Sequence, residues 1–311
     1  MKWPDNDLRS AFVVGAKWET NNENNKNVEL AAEEHYPNGK SLVSVANMVL
    51  KNNLVVGDRV TVDLYPYWES CMVIKPEFIV EHYTATRTLQ EALASQYWAH
   101  FYIEPDGHIL QRVPVNVWAP HAGISEWGGR YDLNKFSIGV EHVNYGRLSK
   151  TNCGWCRDSV CYPENEIVIA KHKLESGIYG WPKFTEAQLQ SSRELNACLF
   201  SATHWIDIVG HEDICAKVDP GPAFPLVEMK ELYFGLETES TFEVSRWWQG
   251  NDIGAGGVSL KWLPYSWSLS KIWCPVKTKV KKLEWDGRWV KVIREDGKDG
   301  WIEEKHLRRI L

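Results

Sequence analysis

Two histidines and an aspartate stand where this chain could hold a divalent cation. Gly210-His211-Glu212-Asp213-Ile214-Cys215-Ala216-Lys217-Val218-Asp219 brings imidazole, ammonium and carboxylate groups close together, and Pro220-Gly221-Pro222 then stops the backbone. A catalytic zinc ion takes neutral imidazole and carboxylate ligands, keeps three of them from the protein, and leaves one position open for water. His211 and Asp219 supply two such groups. His82 closes the apolar run Phe78-Ile79-Val80-Glu81-His82 and is well placed to be the third. Side chains alternate along a strand, so Phe78, Val80 and His82 share one face and Glu81 points away from it.

Three stretches carry a family resemblance. His82-Tyr83-Thr84-Ala85 at a strand end, Ser137-Ile138-Gly139-Val140-Glu141, and His211 followed by Lys217-Val218-Asp219-Pro220-Gly221-Pro222-Ala223-Phe224 resemble the zinc-dependent N-acetylmuramoyl-L-alanine amidases of the type 2 family. That family includes the anhydromuropeptide amidases and phage lysozyme-like amidases, and is related to the peptidoglycan recognition proteins. The resemblance runs from about Pro76 to about Leu226. It implies one catalytic Zn2+ on His82, His211 and Asp219. It also implies Glu141 as general base and then general acid, and Lys217 as the cation that stabilises a developing oxyanion. The bond cut would be the amide between N-acetylmuramic acid and L-alanine, in peptidoglycan or in soluble muropeptides. In the family, the segment matching His121-Ala122-Gly123 borders the substrate groove, so His121, Trp127, Asn144 and Tyr145 are candidate substrate contacts. A non-catalytic peptidoglycan-binding protein is the rival reading, but such proteins typically lack a metal ligand and here all three positions are filled. A metallopeptidase cutting within the stem peptide is the other alternative.

The elements that must position these residues are legible in part. Phe78–Val80, Phe136–His142 and Ile206–Val209 read as strands, and Val60, Val62 and Leu64 alternate with polar residues as in a half-buried strand. Glu104-Pro105-Asp106-Gly107 between two apolar runs predicts a hairpin. Residues 86–99 have helical spacing, as does the stretch after Thr185, where Thr185-Glu186-Ala187-Gln188 has the form of a capping box. A short helix is expected over 41–50 and an exposed polar loop over 18–27. Interleaved strands and helices predict an α/β fold, with a mixed central sheet flanked by helices. The expected domains are an N-terminal extension (1–75), a catalytic domain (76–234), a linker (235–257) and a small all-β barrel (258–311). The last segment, with tight turns and Gly300-Trp301-Ile302 near its end, resembles a bacterial SH3 domain.

Composition narrows the remaining choices. A net charge of -6 argues against a nucleic-acid partner. No run approaches the roughly 20 apolar residues that span a bilayer, so no membrane insertion is expected. Ala11–Ala16 is too short for the core of a signal peptide. Synthesis in the cytoplasm is therefore expected, with action on cytosolic muropeptides or on the wall after release or delivery. The seven cysteines, an odd number, favour free thiols over a disulfide framework. Cys153, Cys156 and Cys161 cluster without an obvious fourth ligand beyond His172. Free thiols in a surface insertion are thus expected there, rather than a second, structural metal. His100 and His142 read as structural, and His108 and His306 as surface residues.

Overall fold

The computed structural model describes residues 48–95, 98–202, 207–234, 241–245, 257–264, 268–286 and 289–310. The polar run at 18–27, most of the helix expected over 41–50, and the Gly250–Gly256 part of the linker lie outside the described residues.

Six strands build the main sheet: β1 (Val60–Val62), β2 (Phe78–Tyr83), β3 (Phe101–Ile103), β4 (Ile109–Gln111), β5 (Ser137–His142) and β6 (Asp207–Gly210). Their order across the sheet is β6-β2-β5-β3-β4-β1. β6, β2, β5 and β3 run parallel, β4 is antiparallel to β3, and β1 is parallel to β4. Strands in the parallel part are covered on both faces, which explains why Phe78-Ile79-Val80 is continuously apolar and fully buried. The expected mixed sheet is therefore present. β1, from the segment read as an extension, forms its edge. Met48–Lys51 and Leu54–Gly57 pair as a hairpin whose Met48 and Val55 enter the main core. Met48–Lys51 is thus a strand, where a helix was expected.

Local signals set several boundaries. Gly107 adopts φ +87°, and its N–H donates to Glu104 O at 2.9 Å, closing the expected hairpin between β3 and β4. A side chain there would press on the backbone of Ala187, 2.8 Å from its oxygen. Helix α1 spans only Leu89–Leu93, shorter than the spacing predicted. Its cap is Thr88, which accepts Glu91 N–H at 3.2 Å, while the Thr86 hydroxyl is tied to Thr84 and to Thr88 O. Helix α2 (Glu186–Ala202) begins with the expected capping box: Gln188 N–H donates to Thr185 Oγ1 at 3.0 Å, and Thr185 N–H to Gln188 Oε1 at 3.1 Å. Leu195, Cys198 and Leu199 then pack against Ile79, Phe101, Ile103 and Ile208. The expected end of that helix near Trp205 lies outside the described residues.

Between β5 and α2 the chain makes two small sheets, Ser149–Thr151 with Gly154–Arg157 and Val160–Tyr162, and Ile167–Lys171 with Ile178–Pro182. The cysteine expectation is corrected here. Cys156 and Cys161 are direct partners on neighbouring strands and form a disulfide, leaving Cys153 exposed and free. The turn between those strands, which spacing alone did not reveal, brings the two sulfurs together. A structural metal on the three cysteines is therefore excluded in this form, and His172 is engaged with Glu212 instead.

After helix α4 (Leu226–Phe234) comes a seven-stranded sheet, strand-rich as expected. Thr241–Val244, within the segment read as a linker, is one of its strands and pairs with Lys279–Lys281 and Leu307–Ile310. Phe242 and Val244 share a core with Leu260, Val280, Val290, Val292 and Ile302, which is why so short a strand is retained. Next to its last strand, Lys305 meets the small hairpin formed by Glu126–Trp127 and Arg130–Tyr131: Gly128 N–H donates to Lys305 O at 3.0 Å, and Lys305 pairs with Glu126. His306, expected on the surface, is buried. No helix among the described residues is long and apolar enough to cross a membrane.

Candidate metal centre

The carboxyl ends of the parallel strands gather the chemistry, as is usual for open α/β sheets. β2 delivers His82. β5 delivers Glu141, whose Cα is the direct partner of His82, so the two side chains lie on one face of the sheet. β6 ends at Gly210, and His211 opens the short helix α3 (His211–Ile214). The chain then turns back so that Asp219 O accepts Glu212 N–H at 2.8 Å. Glu81, on the opposite face, is buried between His142 Nε2 at 2.9 Å and Asn196 Nδ2 at 3.0 Å. Strand alternation predicted that separation.

Three ligand-type atoms converge. His82 Nδ1 lies 3.1 Å from His211 Nδ1 and 3.0 Å from Asp219 Oδ2, and His211 Nδ1 lies 2.9 Å from Asp219 Oδ2. Among the described residues, this is the cluster of three His, Cys, Asp or Glu groups able to hold a metal ion. Bonds of about 2.0–2.2 Å in tetrahedral geometry place ligand atoms roughly 3.3–3.6 Å apart, so this triangle needs to open only slightly to fit zinc. Burial, reinforced by His211, brings the His82 imidazole down to about 4, so it stays neutral, the form that binds metal. Burial also acts against a charge on His211, but its hydrogen bond with Asp219 outweighs this and raises it to about 10. Asp219 is held below the usual carboxylate range by His211 and His82, although burial opposes them. The proton shared by His211 and Asp219 is the one a cation would displace.

Glu141 completes the centre. The residue is half-buried, yet its Oε2 is fully buried without a hydrogen-bond partner. Burial, followed by the nearby Asp219 charge, pushes its carboxyl up to about 8, with His211 opposing. A carboxyl with such a value can both take and give a proton near neutral pH. Lys217 is exposed on the turn before Asp219.

The other expected contacts are placed differently. His121 lies behind His82, only 7% exposed, with Nδ1 3.1 Å from His82 Nε2. Trp127 is buried with Phe78, Val80 and Leu133, and donates to Asp207 Oδ2 at 3.2 Å, near the opposite end of β6. It is a core residue placed away from the His82–His211–Asp219 cluster. Asn144 is also buried, where it donates to Pro182 O at 3.0 Å and accepts Gly146 N–H at 2.9 Å, pinning the turn after β5. Tyr145 is half-buried, and its hydroxyl donates to Asp158 at 3.0 Å. Sequence reasoning missed the grip on α3. His172 Nε2 meets Glu212 Oε2 at 2.5 Å, and Lys173 pairs with Glu212 Oε1 at 3.0 Å and with Asp213. No motif marks those two residues.

A mixed α/β sheet with a His-His-Asp cluster at its carboxyl edge and a high-pKa glutamate alongside defines a class: proteins equipped to hold one cation next to a proton-transfer group. Comparison with known proteins is more specific. Residues 73–222 match the model of the family described as N-acetylmuramoyl-L-alanine amidase. The 1,6-anhydro-N-acetylmuramyl-L-alanine amidase AmpD of Escherichia coli (strain K12) is 32% identical over 138 residues, 43% of this chain and 57% of that protein. The N-acetylmuramoyl-L-alanine amidase AmiD of the same strain is 29% identical over 171 residues, 50% of this chain and 53% of that protein. The chain spans about half the length of the curated relatives it matches. Among solved structures, the E. coli AmiD complex with anhydro-N-acetylmuramic acid-L-Ala-D-gamma-Glu-L-Lys is similar at 27% identity and TM-score 0.39, covering 59% of this chain and 64% of that one.

Proposed function

We propose that this chain is a zinc-dependent hydrolase that cleaves the amide between N-acetylmuramic acid and L-alanine in peptidoglycan or muropeptides. The observation that carries the reading is the convergence of His82 Nδ1, His211 Nδ1 and Asp219 Oδ2 within 3.1 Å of one another, on the same sheet edge as Glu141. Zinc, when bound by those three residues, lowers the pKa of water and polarises the scissile carbonyl. Glu141 takes the proton released as water attacks and passes it to the departing amine of L-alanine. The base step uses the carboxylate, and the neutral acid it becomes is favoured because burial disfavours the charged form. Lys217 brings a positive charge to the carbonyl oxygen as that oxygen becomes negative. The part from 76 to 234 carries the reaction. The C-terminal strands, read as an SH3-like domain over 258–311 with Thr241–Val244 added, keep the enzyme near its polymeric substrate and so raise the effective substrate concentration. The site of action is a pool of soluble muropeptides, or the wall after release.

Digestion of purified peptidoglycan and of a soluble muropeptide, read by mass spectrometry, tests this. Stem peptides beginning at L-alanine should appear with zinc-loaded protein and vanish with a chelator or in His82→Ala. Cleavage inside the peptide would refute the bond assignment. Wall binding without cleavage by zinc-loaded protein would refute the enzyme.

A further inference from the structure

The two ring nitrogens of His82 face different neighbours. Nδ1 points to His211 and Asp219, and Nε2 to His121 Nδ1 at 3.1 Å. His121 Nε2 in turn lies 3.3 Å from Ser137 Oγ, and Ser137 Oγ–H donates to Leu133 O at 2.6 Å. His82, His121, Ser137 and Leu133 are all buried.

This chain of contacts has one direction. A carbonyl oxygen only accepts, so the Ser137 proton lies on the Leu133 side and Ser137 Oγ accepts from His121 Nε2–H. A neutral imidazole that donates from Nε2 has its lone pair on Nδ1. His121 Nδ1 therefore accepts the proton of His82 Nε2, and His82 Nδ1 keeps its lone pair on the side where the metal would sit, facing the His211 Nδ1 proton that His211 shares with Asp219 Oδ2. We propose that His121 and Ser137 are positioning residues that fix the tautomer of His82, holding its proton on Nε2 and presenting Nδ1 to the cation. This rests on the metal-centre reading above and replaces the expectation that His121 contacts substrate.

The backbone is shaped for this arrangement. A Cβ at Gly139 on β5 would lie 2.5 Å from His121 Cγ and 2.6 Å from its Nδ1, so only glycine admits the ring. The same residue's N–H donates to His100 Nδ1 at 3.1 Å, and His100 Nε2–H therefore donates to Val117 O at 2.8 Å. His100 then stands edge-on to His121, with ring centroids 5.6 Å apart. The His121 ring is boxed in by Gly139, His100 and Ser137, and cannot turn over without losing its partners. Hydrogen-bond partners behind a metal-binding histidine typically change metal affinity by 10–100-fold when removed.

The test uses the full chain, Ser137→Ala, and His121→Phe, which keeps a ring but has no acceptor. Ring-nitrogen NMR of the metal-free protein reads the His82 tautomer directly, and competition with a chromogenic chelator reads zinc affinity. The wild type should show His82 protonated on Nε2. Ser137→Ala, a small change that leaves the core filled, should show a mixture of tautomers and bind zinc about tenfold more weakly. His121→Phe should lose more, while the KM of the zinc-saturated protein for a muropeptide stays unchanged in both. His82 protonated on Nδ1 in the wild type, or folded variants that keep wild-type zinc affinity, would overturn the proposal. A raised KM with unchanged zinc affinity would return His121 to the groove. Correct tautomer and zinc binding without amide cleavage would overturn the amidase reading alone.

Discussion

Replacing Glu141 with glutamine removes one titration while keeping the shape of the side chain. In the folded, metal-free chain, burial and then the Asp219 charge raise the Glu141 carboxyl from 4.5 to about 8, His211 acting the other way. Between those two pH values the folded chain holds a proton that the unfolded chain has released. Stability contributed by that proton is fully present below about pH 4.5 and is lost as pH rises through about 8. Each pH unit between the two values is worth about 1.4 kcal/mol, so the loss is on the order of 3–5 kcal/mol. Glutamine stays neutral throughout, so Glu141→Gln should match the wild type near pH 4.5 and exceed it by that amount near pH 9. His211 and Asp219 are present in both proteins and largely cancel in the difference. Urea unfolding across this pH range, in the presence of a chelator, measures it. A stability difference that does not change with pH would refute the burial argument, and with it the account of Glu141 as a proton carrier. In the zinc-loaded protein the same substitution should lower kcat by about a hundred- to ten-thousand-fold, the usual worth of a general acid–base group.

Two further substitutions separate positioning from contact. Lys173→Ala leaves Glu212 and Asp213 without their shared cation, although His172 and the Gly210 N–H still hold one carboxylate each. Breaking buried pairs costs about 3–5 kcal/mol, so a loss of roughly 2–4 kcal/mol in thermal unfolding and faster zinc release are expected; no change would mean the pair is screened by solvent. Trp127→Ala should cost about 3–5 kcal/mol of stability, with kcat and KM unchanged at temperatures where the variant is folded. A raised KM without lost stability would instead place Trp127 at the substrate.

What could be read beforehand was local. Phe78-Ile79-Val80 is apolar because both faces of β2 are covered, Gly107 supplies a positive φ next to Pro105, and Thr185 and Gln188 reciprocate across one helical turn. Each signal lies within a few residues of the structure it produces. The misplaced residues depended on register between distant segments. His121 and Gly139 are far apart in sequence, and only the meeting of the 119–123 loop with β5 puts one ring over one glycine. A glycine inside the apolar run Ile138-Gly139-Val140 was the available hint, since strand glycines often mark close approach. Cys156 and Cys161 became partners through a hairpin that no turn motif announced.

The same distinction explains how the candidate metal centre is held. Helix α3 has four residues, too few to be stable through its own hydrogen bonds. Its position comes instead from outside. Asp213 Oδ2 accepts Gly210 N–H at 2.7 Å, Asp219 O accepts Glu212 N–H at 2.8 Å, and His172 and Lys173 arrive from the insertion to take Glu212 and Asp213. Glu304 of the C-terminal sheet, bonded to Lys282 at 2.6 Å, also feels Lys230 and Lys173; together they hold its carboxyl down against burial. A cavity of about 990 Å³ lies between that sheet and α3, lined by residues of both. The insertion and the C-terminal sheet therefore converge on the helix that carries His211. A motif can name a candidate ligand, but the geometry of this cluster is set by segments far from it in sequence, so truncating either should weaken cation binding before it unfolds the main sheet.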